Sequence, residues 1–437
     1  MSQSTYLSQI NPDLQSLGYE ADMLYYTSDD VKLSSVEFNS RLGKYRRSLS
    51  SLQFGSSSDI NIANFDFLGS CYLQVKLPLL PAGVTLPQAF LLHAIDYITF
   101  SWGTSNISLV KISGQDMLHH NYMACETKEK RDKMMLLAGA VSPISGAIGI
   151  VNHTATILLK FPWSVMSCDE RKKLFDTRLL DTNMLIQIAF NPVEKFMGWA
   201  DGVVPPSQFL SAEILLKQNE LSDHARSLYT KMKADKNAIY HYPFQHLQTG
   251  TIERFVSDGN PVDVDFELTS FLNSDLIGIL FSVCRTKDIS RQNANYPHPN
   301  PFELSKVTNV KIEYNGQILF YAVDDLLEIS TLNISEGDTT ADLHSLDPTA
   351  GTVVAGQLDL SYVHYIPFTQ YKNITFGKEF NNCSIFRSQP LNLSFTYAKP
   401  VGISDPPSLT EQITVRTTYI YNAYSSVKDF SSSIHFG

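Results

Sequence analysis

The stretch Leu391–Tyr397 reads LNLSFTY, in which Leu391, Leu393, Phe395 and Tyr397 alternate with polar residues. A period of two places the apolar side chains on one face of a β-strand and the polar ones on the other. The same alternation recurs in the segments 71–77, 262–268 and 413–419. The pattern predicts half-buried strands of antiparallel sheets, each with one face on a core.

Three sequence landmarks recur in the same order along the chain. VKISGQ, ending at Gln115, resembles IEYNGQ, ending at Gln317, and LLKFPW around Pro162 resembles VHYIPF around Pro367. In both copies an apolar strand follows the proline, MLIQIAF from Met184 and LNLSFTY from Leu391. A period near 200 residues is too long for a solenoid repeat or a propeller blade and predicts two copies of one β-sandwich domain. Coincidence among strand-like segments is the alternative.

This repeat suggests a division of the chain into four parts. They are an N-terminal arm (1–55), a first sandwich (56–217), a connector (218–249) and a second sandwich with a C-terminal tail (250–437). The arm contains four basic residues, Arg41, Lys44, Arg46 and Arg47, and we expect it to become ordered only against a partner. A solvated arm, or contact of this cluster with an acidic neighbour, is favoured over weak, salt-sensitive binding to nucleic acid.

Short helices interrupt the strand pattern. One is predicted over residues 114–133, where Ser113 can cap the first turn and Asp116 suits the positive end of the helix dipole. A second is expected over residues 220–236, as an exposed connector. The uncharged stretch 134–151 contains Pro143 and three glycines, so it is interpreted as a loop and a strand start rather than a membrane-spanning helix.

The composition limits the classes of function. The 437 residues include 34 Lys and Arg and 44 Asp and Glu, a net charge of −10, which argues against a surface that tracks nucleic acid. Charged residues make up only 18%, as expected for a surface partly covered by neighbours. The N-terminus lacks the pattern of a signal peptide, so synthesis without secretion is expected. The N-x-S/T sequons then carry little meaning; they lie at Asn106, Asn152, Asn333, Asn373, Asn382 and Asn392.

No constellation of catalytic, cofactor-binding or metal-ligating residues emerges from the sequence. Five widely spaced cysteines are interpreted as reduced and buried: Cys71, Cys125, Cys168, Cys284 and Cys383. The spacing of the paired histidines does not suit a shared metal ion: His119 with His120, and His241 with His246. Asp324 and Asp325 are interpreted as a solvated turn rather than a cation site.

Two further groups of side chains are assigned to structure or to interfaces. Asp263, Asp265 and Glu267 share one strand face and are expected to be hydrated or to meet a basic partner. The three tryptophans lie near strand ends and are interpreted as core or interface anchors rather than a sugar-binding platform: Trp102, Trp163 and Trp199.

Four segments together resemble the double jelly-roll major capsid proteins of the lineage of adenovirus, tailless phages, polinton-like viruses, virophages and giant DNA viruses. They are 108–134 (SLVKISGQ and the helix after it), 158–190 (LLKFPW to MLIQIAF), 274–320 (from SDLIGILFSV to EYNGQILF) and 416–437 (RTTYIYNAYSSVKDFSSSIHFG).

The resemblance implies an all-β chain of two tandem eight-stranded jelly-roll sandwiches with a few short helices in loops. It further implies a homotrimer that forms a pseudo-hexagonal capsomer of an icosahedral shell in the virion. Neighbouring capsomers, penton proteins and minor capsid proteins would be its partners, and the N-terminal arm would reach an inner membrane or the genome. The family offers no catalytic residue and no cofactor to carry over.

Three other functions compete with this one. A minor capsid or assembly scaffold protein could share the fold. A duplicated jelly-roll carbohydrate-binding module would need clustered Asp and Asn with an aromatic platform, which the sequence lacks. An enzyme on a double cupin-like scaffold would need a His-x-His pair, and the chain contains none.

Overall fold

A computed structural model describes the main strands of both predicted sandwiches. The described residues are 38–62, 67–102, 110–124, 128–140, 144–145, 154–159, 183–200, 202–221, 240–257, 262–268, 275–285, 307–322, 363–368, 384–385, 390–397, 410–428 and 431–436. Short helices occur only in the first half of this part of the chain: α1 (Phe90–Ala94), α2 (Gly114–Ala124), α3 (Lys128–Leu137) and a 3-10 turn (Val193–Lys195).

The first half of the chain forms two four-stranded antiparallel sheets. Its strands are β1 (Phe38–Ser48), β2 (Ser57–Ile62), β3 (Phe67–Lys76), β4 (Val84–Leu86), β5 (Ile95–Trp102), β6 (Val110–Ser113), β7 (Ile144–Ser145), β8 (Thr154–Leu158), β9 (Met184–Phe190), β10 (Gly198–Trp199) and β11 (Ser211–Leu221). One sheet has the order β1-β11-β3-β8 and the other β2-β9-β5-β6. The short strands β4, β7 and β10 form a small third sheet.

The second half repeats this arrangement. Its strands are β12 (Tyr240–Ser257), β13 (Val262–Leu268), β14 (Asp275–Arg285), β15 (Val307–Tyr314), β16 (Gln317–Ala322), β17 (His364–Pro367), β18 (Ser384–Ile385), β19 (Leu391–Tyr397), β20 (Thr410–Lys428) and β21 (Ser431–Phe436). One sheet has the order β12-β20-β14-β17, with β18 and β21 attached, and the other β13-β19-β15-β16.

The eight main strands of each half therefore follow one order. In each sandwich the first, eighth, third and sixth strands form one sheet, and the second, seventh, fourth and fifth form the other. This is the Greek-key connectivity of a jelly roll. The predicted fold class, two tandem eight-stranded jelly rolls with a few short helices, is confirmed.

The recurring landmarks mark equivalent strands in two of the three cases. The strands that lead to Pro162 and Pro367, β8 and β17, each form the fourth strand of their sheet. β9 and β19 also occupy equivalent positions, next to the second strand of each sandwich.

The third landmark, the Gly-Gln pair, is not equivalent in the two halves. Gly114 follows the fifth strand of its sandwich and begins a helix, whereas Gly316 lies in the turn between the fourth and fifth strands. In that turn Asn315 and Gly316 have φ of 53° and 75°, as a tight two-residue hairpin requires. The match between VKISGQ and IEYNGQ is misleading because a strand followed by Gly-Gln is compatible with a helix start as well as with a hairpin.

Each sandwich encloses an apolar core built from the alternating faces of its strands. In the first, β9 buries Met184, Ile186 and Ile188 against residues such as Leu73 and Val75 of β3. In the second, the LNLSFTY strand β19 buries its four apolar residues, Leu391, Leu393, Phe395 and Tyr397. The period of two therefore identifies the core-facing residues of both halves correctly.

Several predicted boundaries need correction. Residues 38–48, assigned to the arm, form β1 and pair with β11, because the partner that orders them is the chain's own sheet. Pairing also carries β11 to Leu221 and begins β12 at Tyr240, inside the predicted connector. Glu220 is thus in a strand rather than a helix, and residues 222–239 lie outside the described residues.

The first predicted helix also differs in detail. Residues 114–124 and 128–137 form two helices, α2 and α3, so α3 extends into the stretch 134–151 that was expected as a loop. The expected strand start in that stretch is the two-residue β7. Met135 of this helix packs into the first core, and the helix ends before the glycines and Pro143 that suggested a loop.

We predict that Gly278→Ala destabilises the protein. A Cβ atom at this position in β14 would lie 2.6 Å from Cε2 of Tyr365 and 2.8 Å from the carbonyl oxygen of Ile366 in the neighbouring strand. The strands would have to separate, at a cost of about 1–3 kcal/mol in the free energy of unfolding. Gly250→Ala in the same sheet is the control, because its nearest contact would be an ordinary 3.4 Å. Equal denaturation midpoints for the two variants would contradict the prediction.

Candidate functional site

Strand β14 is buried on both faces, because its sheet packs against the core of each of the two sandwiches. Its run DLIGILFSVCR directs Ile279, Phe281 and Val283 into the second core. On the opposite face Leu280 and Cys284 join the core of the first sandwich. The continuous apolar run in the sequence is explained by this double burial, since neither face meets solvent.

The neighbouring strand β20 is also covered on both faces. Val415 and Tyr419 face the second core, while Ile420 belongs to the apolar cluster of the first sandwich. Between these apolar contacts, Arg416 and Thr418 reach the helix α2 of the first sandwich. The two jelly rolls are therefore joined by apolar packing around a small polar network.

Asp116 is the acceptor at the centre of this network. It lies in the first turn of α2, where its backbone N–H donates to Ser113 Oγ at 3.1 Å and its Oδ2 accepts from Ser113 Oγ at 2.7 Å. This reciprocal capping arrangement confirms the predicted roles of Ser113 and Asp116. Its second oxygen, Oδ1, remains available for the other sandwich.

Arg416 and Thr418 of the second sandwich occupy that oxygen. Arg416 donates from Nη2 at 2.9 Å and from Nε at 3.2 Å, and Thr418 Oγ1 donates at 2.9 Å, all to Asp116 Oδ1. Arg416 Nη2 also donates to Ser113 Oγ at 2.6 Å. The side chains are 16% exposed for Arg416 and 4% for Asp116, so the ion pair is well shielded from solvent.

Opposing effects act on the carboxyl of Asp116. Burial raises its pKa. The charge of Arg416 and the hydrogen bonds from Ser113, Thr249 and Arg416 together lower the pKa by more than burial raises it, so the net pKa lies below its ordinary value. Asp116 is therefore an anion that the second sandwich neutralises. Without Arg416 this buried negative charge would have no counter-charge in the network.

The buried His119 lies beside the ion pair, and the buried His93 lies near His119. Burial lowers the pKa of His119 to about 3, helped by the positive charge of Arg416 and opposed by Asp116. Burial also lowers the pKa of His93 in α1 to about 3, with a further contribution from His119 and an opposing backbone hydrogen bond at Gln88. Both imidazoles are neutral at physiological pH, and His120 is equally buried. The adjacent His119 and His120, predicted to be unsuited to a shared metal, are thus buried side chains of α2.

The network of Asp116, Arg416 and Thr418 has a structural role: it holds the two sandwiches in one orientation. Sequence reasoning identified Ser113 and Asp116 as helix-capping residues but did not identify their partner. The available signal was that Arg416 is the only charged residue between Glu411 and Lys428. A lone charge in a strand of otherwise uncharged residues is a reason to look for a buried counter-charge.

The predicted carboxylate row and basic cluster lie on exposed strands. Asp263, Asp265 and Glu267 are all exposed on one face of β13, and Asp263 Oδ1 accepts a hydrogen bond of 2.6 Å from Thr396 Oγ1. In β1, Arg46 lies 3.6 Å from Glu213 of β11 and Arg47 stacks on Tyr45. For Arg41 and Lys44 only the backbone position in β1 is described.

The remaining candidate residues do not converge on one site. Cys71 and Cys284 are buried thiols that form no disulfide, and burial raises the pKa of Cys71. Trp199 packs against the first core, and burial lowers the pKa of His246 to about 4. The other predicted residues are not described, or only by their backbone: Cys125, Cys168, Cys383, His241, Asp324, Asp325, Trp102 and Trp163.

No three His, Cys, Asp or Glu side chains in the described ranges are grouped as ligands of a metal ion would be. Within the same ranges, no helix has the length and apolarity needed to cross a membrane.

Several solved structures have a fold similar to that of this chain. No protein-family model and no curated protein sequence matches the chain. The capsid of the virus PBCV-1 matches with a TM-score of 0.63 at 11% identity, over 92% of this chain and 97% of that chain. The Faustovirus major capsid protein matches with 0.57 at 8%, over 98% of both chains. The mavirus major capsid protein matches with 0.52 at 11%, over 94% and 93%. The chain therefore has the fold of these double jelly-roll capsid proteins along nearly its whole length.

We predict that Arg416→Leu lowers the free energy of unfolding by about 3–5 kcal/mol, because it leaves the buried Asp116 carboxylate without its counter-charge. Adding Asp116→Asn to that variant removes the uncompensated charge and should recover part of the loss. Arg254→Leu is the control: Arg254 is exposed on β12, and its replacement should change stability by less than about 0.5 kcal/mol. Denaturant unfolding measures all three, and an Arg416→Leu loss no larger than that of the control would refute the assignment.

Stability should fall as the pH is lowered from 6.5 towards 4. His93 and His119 have a pKa of about 3 in the folded protein against an ordinary value of 6.5, so in this window the unfolded chain binds more protons. The stability due to the neutral imidazoles is fully present above pH 6.5 and decreases as the pH falls. Denaturation midpoints across this range measure the slope, and His119→Gln should make it shallower. A midpoint that does not change between pH 7 and pH 4 would contradict the burial of these neutral histidines.

Proposed function

We propose that the protein is a major capsid protein, three copies of which form a pseudo-hexagonal capsomer that tiles an icosahedral viral shell. One observation carries the proposal: two jelly rolls of identical strand order occupy the chain, as in capsid proteins that match over more than nine-tenths of their length. Because each chain supplies two similar sandwiches, three chains provide six similar corners. The proposed location is the virion.

The chemistry of the surface agrees with a structural role. Charged residues are scarce, as suits a subunit that is covered on several sides, and the net charge of −10 would limit non-specific binding to nucleic acid. The polar network centred on Asp116 fixes two sandwiches in a chain rather than presenting a reactive group to a substrate. The proposal assigns no catalytic or cofactor-binding role to any residue.

Further partners belong to the same proposal. Neighbouring capsomers, penton proteins and minor capsid proteins would contact the rim of the trimer. Residues 1–37, which precede β1, are proposed to contact an inner membrane or the genome. A minor capsid or scaffold protein of the same fold is the alternative role, and the abundance of the protein in purified virions would distinguish the two.

Light scattering coupled to size-exclusion chromatography tests the proposal. We expect a trimer of about three times the chain mass of 49.0 kDa that resists heating, since obligate interfaces of this kind are large and apolar. Electron microscopy of the same peak should show hexagonal particles with threefold symmetry. A monomer across the micromolar range would contradict the capsid role.

A further inference from the structure

The edge strand β16 exposes an unusual amount of apolar surface. Its sequence QILFYA contains no charge and no proline, and Ile318, Leu319 and Tyr321 are 58%, 43% and 52% exposed. Among the described strands it pairs only with β15. An uncharged, apolar edge with free backbone groups is a template for pairing or aggregation, and native proteins usually cover such edges.

The equivalent edge strand of the first sandwich is covered within the chain. This strand, β6, lies alongside β12, the first strand of the second sandwich. The side chain of Arg416, on the adjacent strand β20, binds Asp116, which lies three residues after the end of β6. The first strand of the second sandwich thus lies against the fifth strand of the first, and its eighth strand binds the helix that follows that strand.

This contact joins two different surfaces, so it is a head-to-tail contact. It uses the first, eighth and third strands of the second sandwich and, on the first sandwich, the fifth strand with the helix α2 after it. Among the described elements, no contact of this kind covers the corresponding surfaces on the other side of each sandwich: β1 with β11 and β3, and β16. A head-to-tail contact that repeats between similar units closes into a ring when the rotation permits.

The contact is favoured by apolar burial rather than by complementary charge. Strand β1 contains Arg41, Lys44, Arg46 and Arg47, and the side chain of Arg46 is 61% exposed. The exposed Asp263, Asp265 and Glu267 lie on β13, at the opposite edge of the sheet from β16, so they are not part of this surface. On β15, next to β16, Glu313 is paired with Lys311 at 2.9 Å. The uncovered apolar edge of β16 is therefore the feature that calls for a partner strand.

We propose that strand β16 of one copy is covered by strand β1 of a second copy of this chain, in a head-to-tail contact that repeats the junction between the two sandwiches. The inference rests on the self-assembly proposed above and names the surfaces that meet.

The first test replaces an apolar side chain of β16 by a charged one. Ile318→Glu should raise the concentration at which the trimer dissociates by about a hundredfold, because it places a charge in the centre of the contact. Leu136→Glu on α3 is the matched control, since Leu136 has the same 58% exposure but lies outside both surfaces. Light scattering after size-exclusion chromatography gives the mass, and circular dichroism verifies that each variant is folded.

The outcomes separate this inference from the capsid role. A trimeric wild type with a folded, monomeric Ile318→Glu and a trimeric Leu136→Glu supports both. A trimeric Ile318→Glu with unchanged dissociation overturns the inference and leaves the capsid role intact. A monomeric wild type overturns the capsid role itself.

A cross-linking test does not depend on how a charge affects folding. Arg46→Cys and Ile318→Cys are prepared separately and mixed under conditions that allow subunit exchange, and a short bis-maleimide is added. A head-to-tail contact predicts cross-linked dimers above the wild-type background in the mixture but not in either variant alone, because each interface contains one residue of each kind. Cross-links in either variant alone, or none in the mixture, would overturn the inference.

Discussion

The strand β14 has no solvent-exposed face, and much of the architecture follows from that constraint. A strand in an isolated sandwich alternates between core and solvent, whereas Ile279 and Leu280 are adjacent residues that are both buried, in different cores. The larger sheet of the second sandwich can keep this composition only if the first sandwich covers its outer face. Burial of that apolar face provides the main driving force for holding the two jelly rolls together.

Apolar burial alone does not select one orientation, and the polar network supplies that selection. The Asp116 carboxylate accepts from Arg416 and Thr418 with one oxygen and from Ser113 with the other. A buried ion pair contributes little net stability compared with a well-packed apolar pair, but it is costly to break. Sliding one sandwich along the other would leave a buried charge unpaired, so the registered junction is strongly preferred.

The same junction accounts for two surfaces, those of β16 and β1, that have no role in an isolated chain. Strand β6 lies against β12, whereas its equivalent β16 exposes Ile318 and Tyr321. Strand β12 contacts the first sandwich, whereas its equivalent β1 has the exposed basic residues Arg46 and Arg47. A duplicated chain with one internal head-to-tail contact necessarily carries one unsatisfied copy of each surface. Self-assembly is the simplest way for such a chain to bury both.

Local pattern was sufficient for much of the fold. The period of two identified the core-facing residues of β19, the recurring landmarks indicated two copies of one sandwich, and the Ser113–Asp116 spacing located a helix start. It was insufficient where a short motif fits two conformations, as with Gly114 and Gly316. It also assigned β1 to a disordered arm, because basic residues suggest exposure and its partner β11 is more than 160 residues away.

The sequence by itself determined which side chains share a strand face, since the pleat of a strand fixes that relation between neighbours along the chain. Only the tertiary structure decided what covers each face. The pairing of Arg416 with Asp116 joins residues 300 positions apart, and the double burial of β14 depends on a second domain. Such contacts arise from the packing of whole sheets, and no local spacing encodes which surface will meet which.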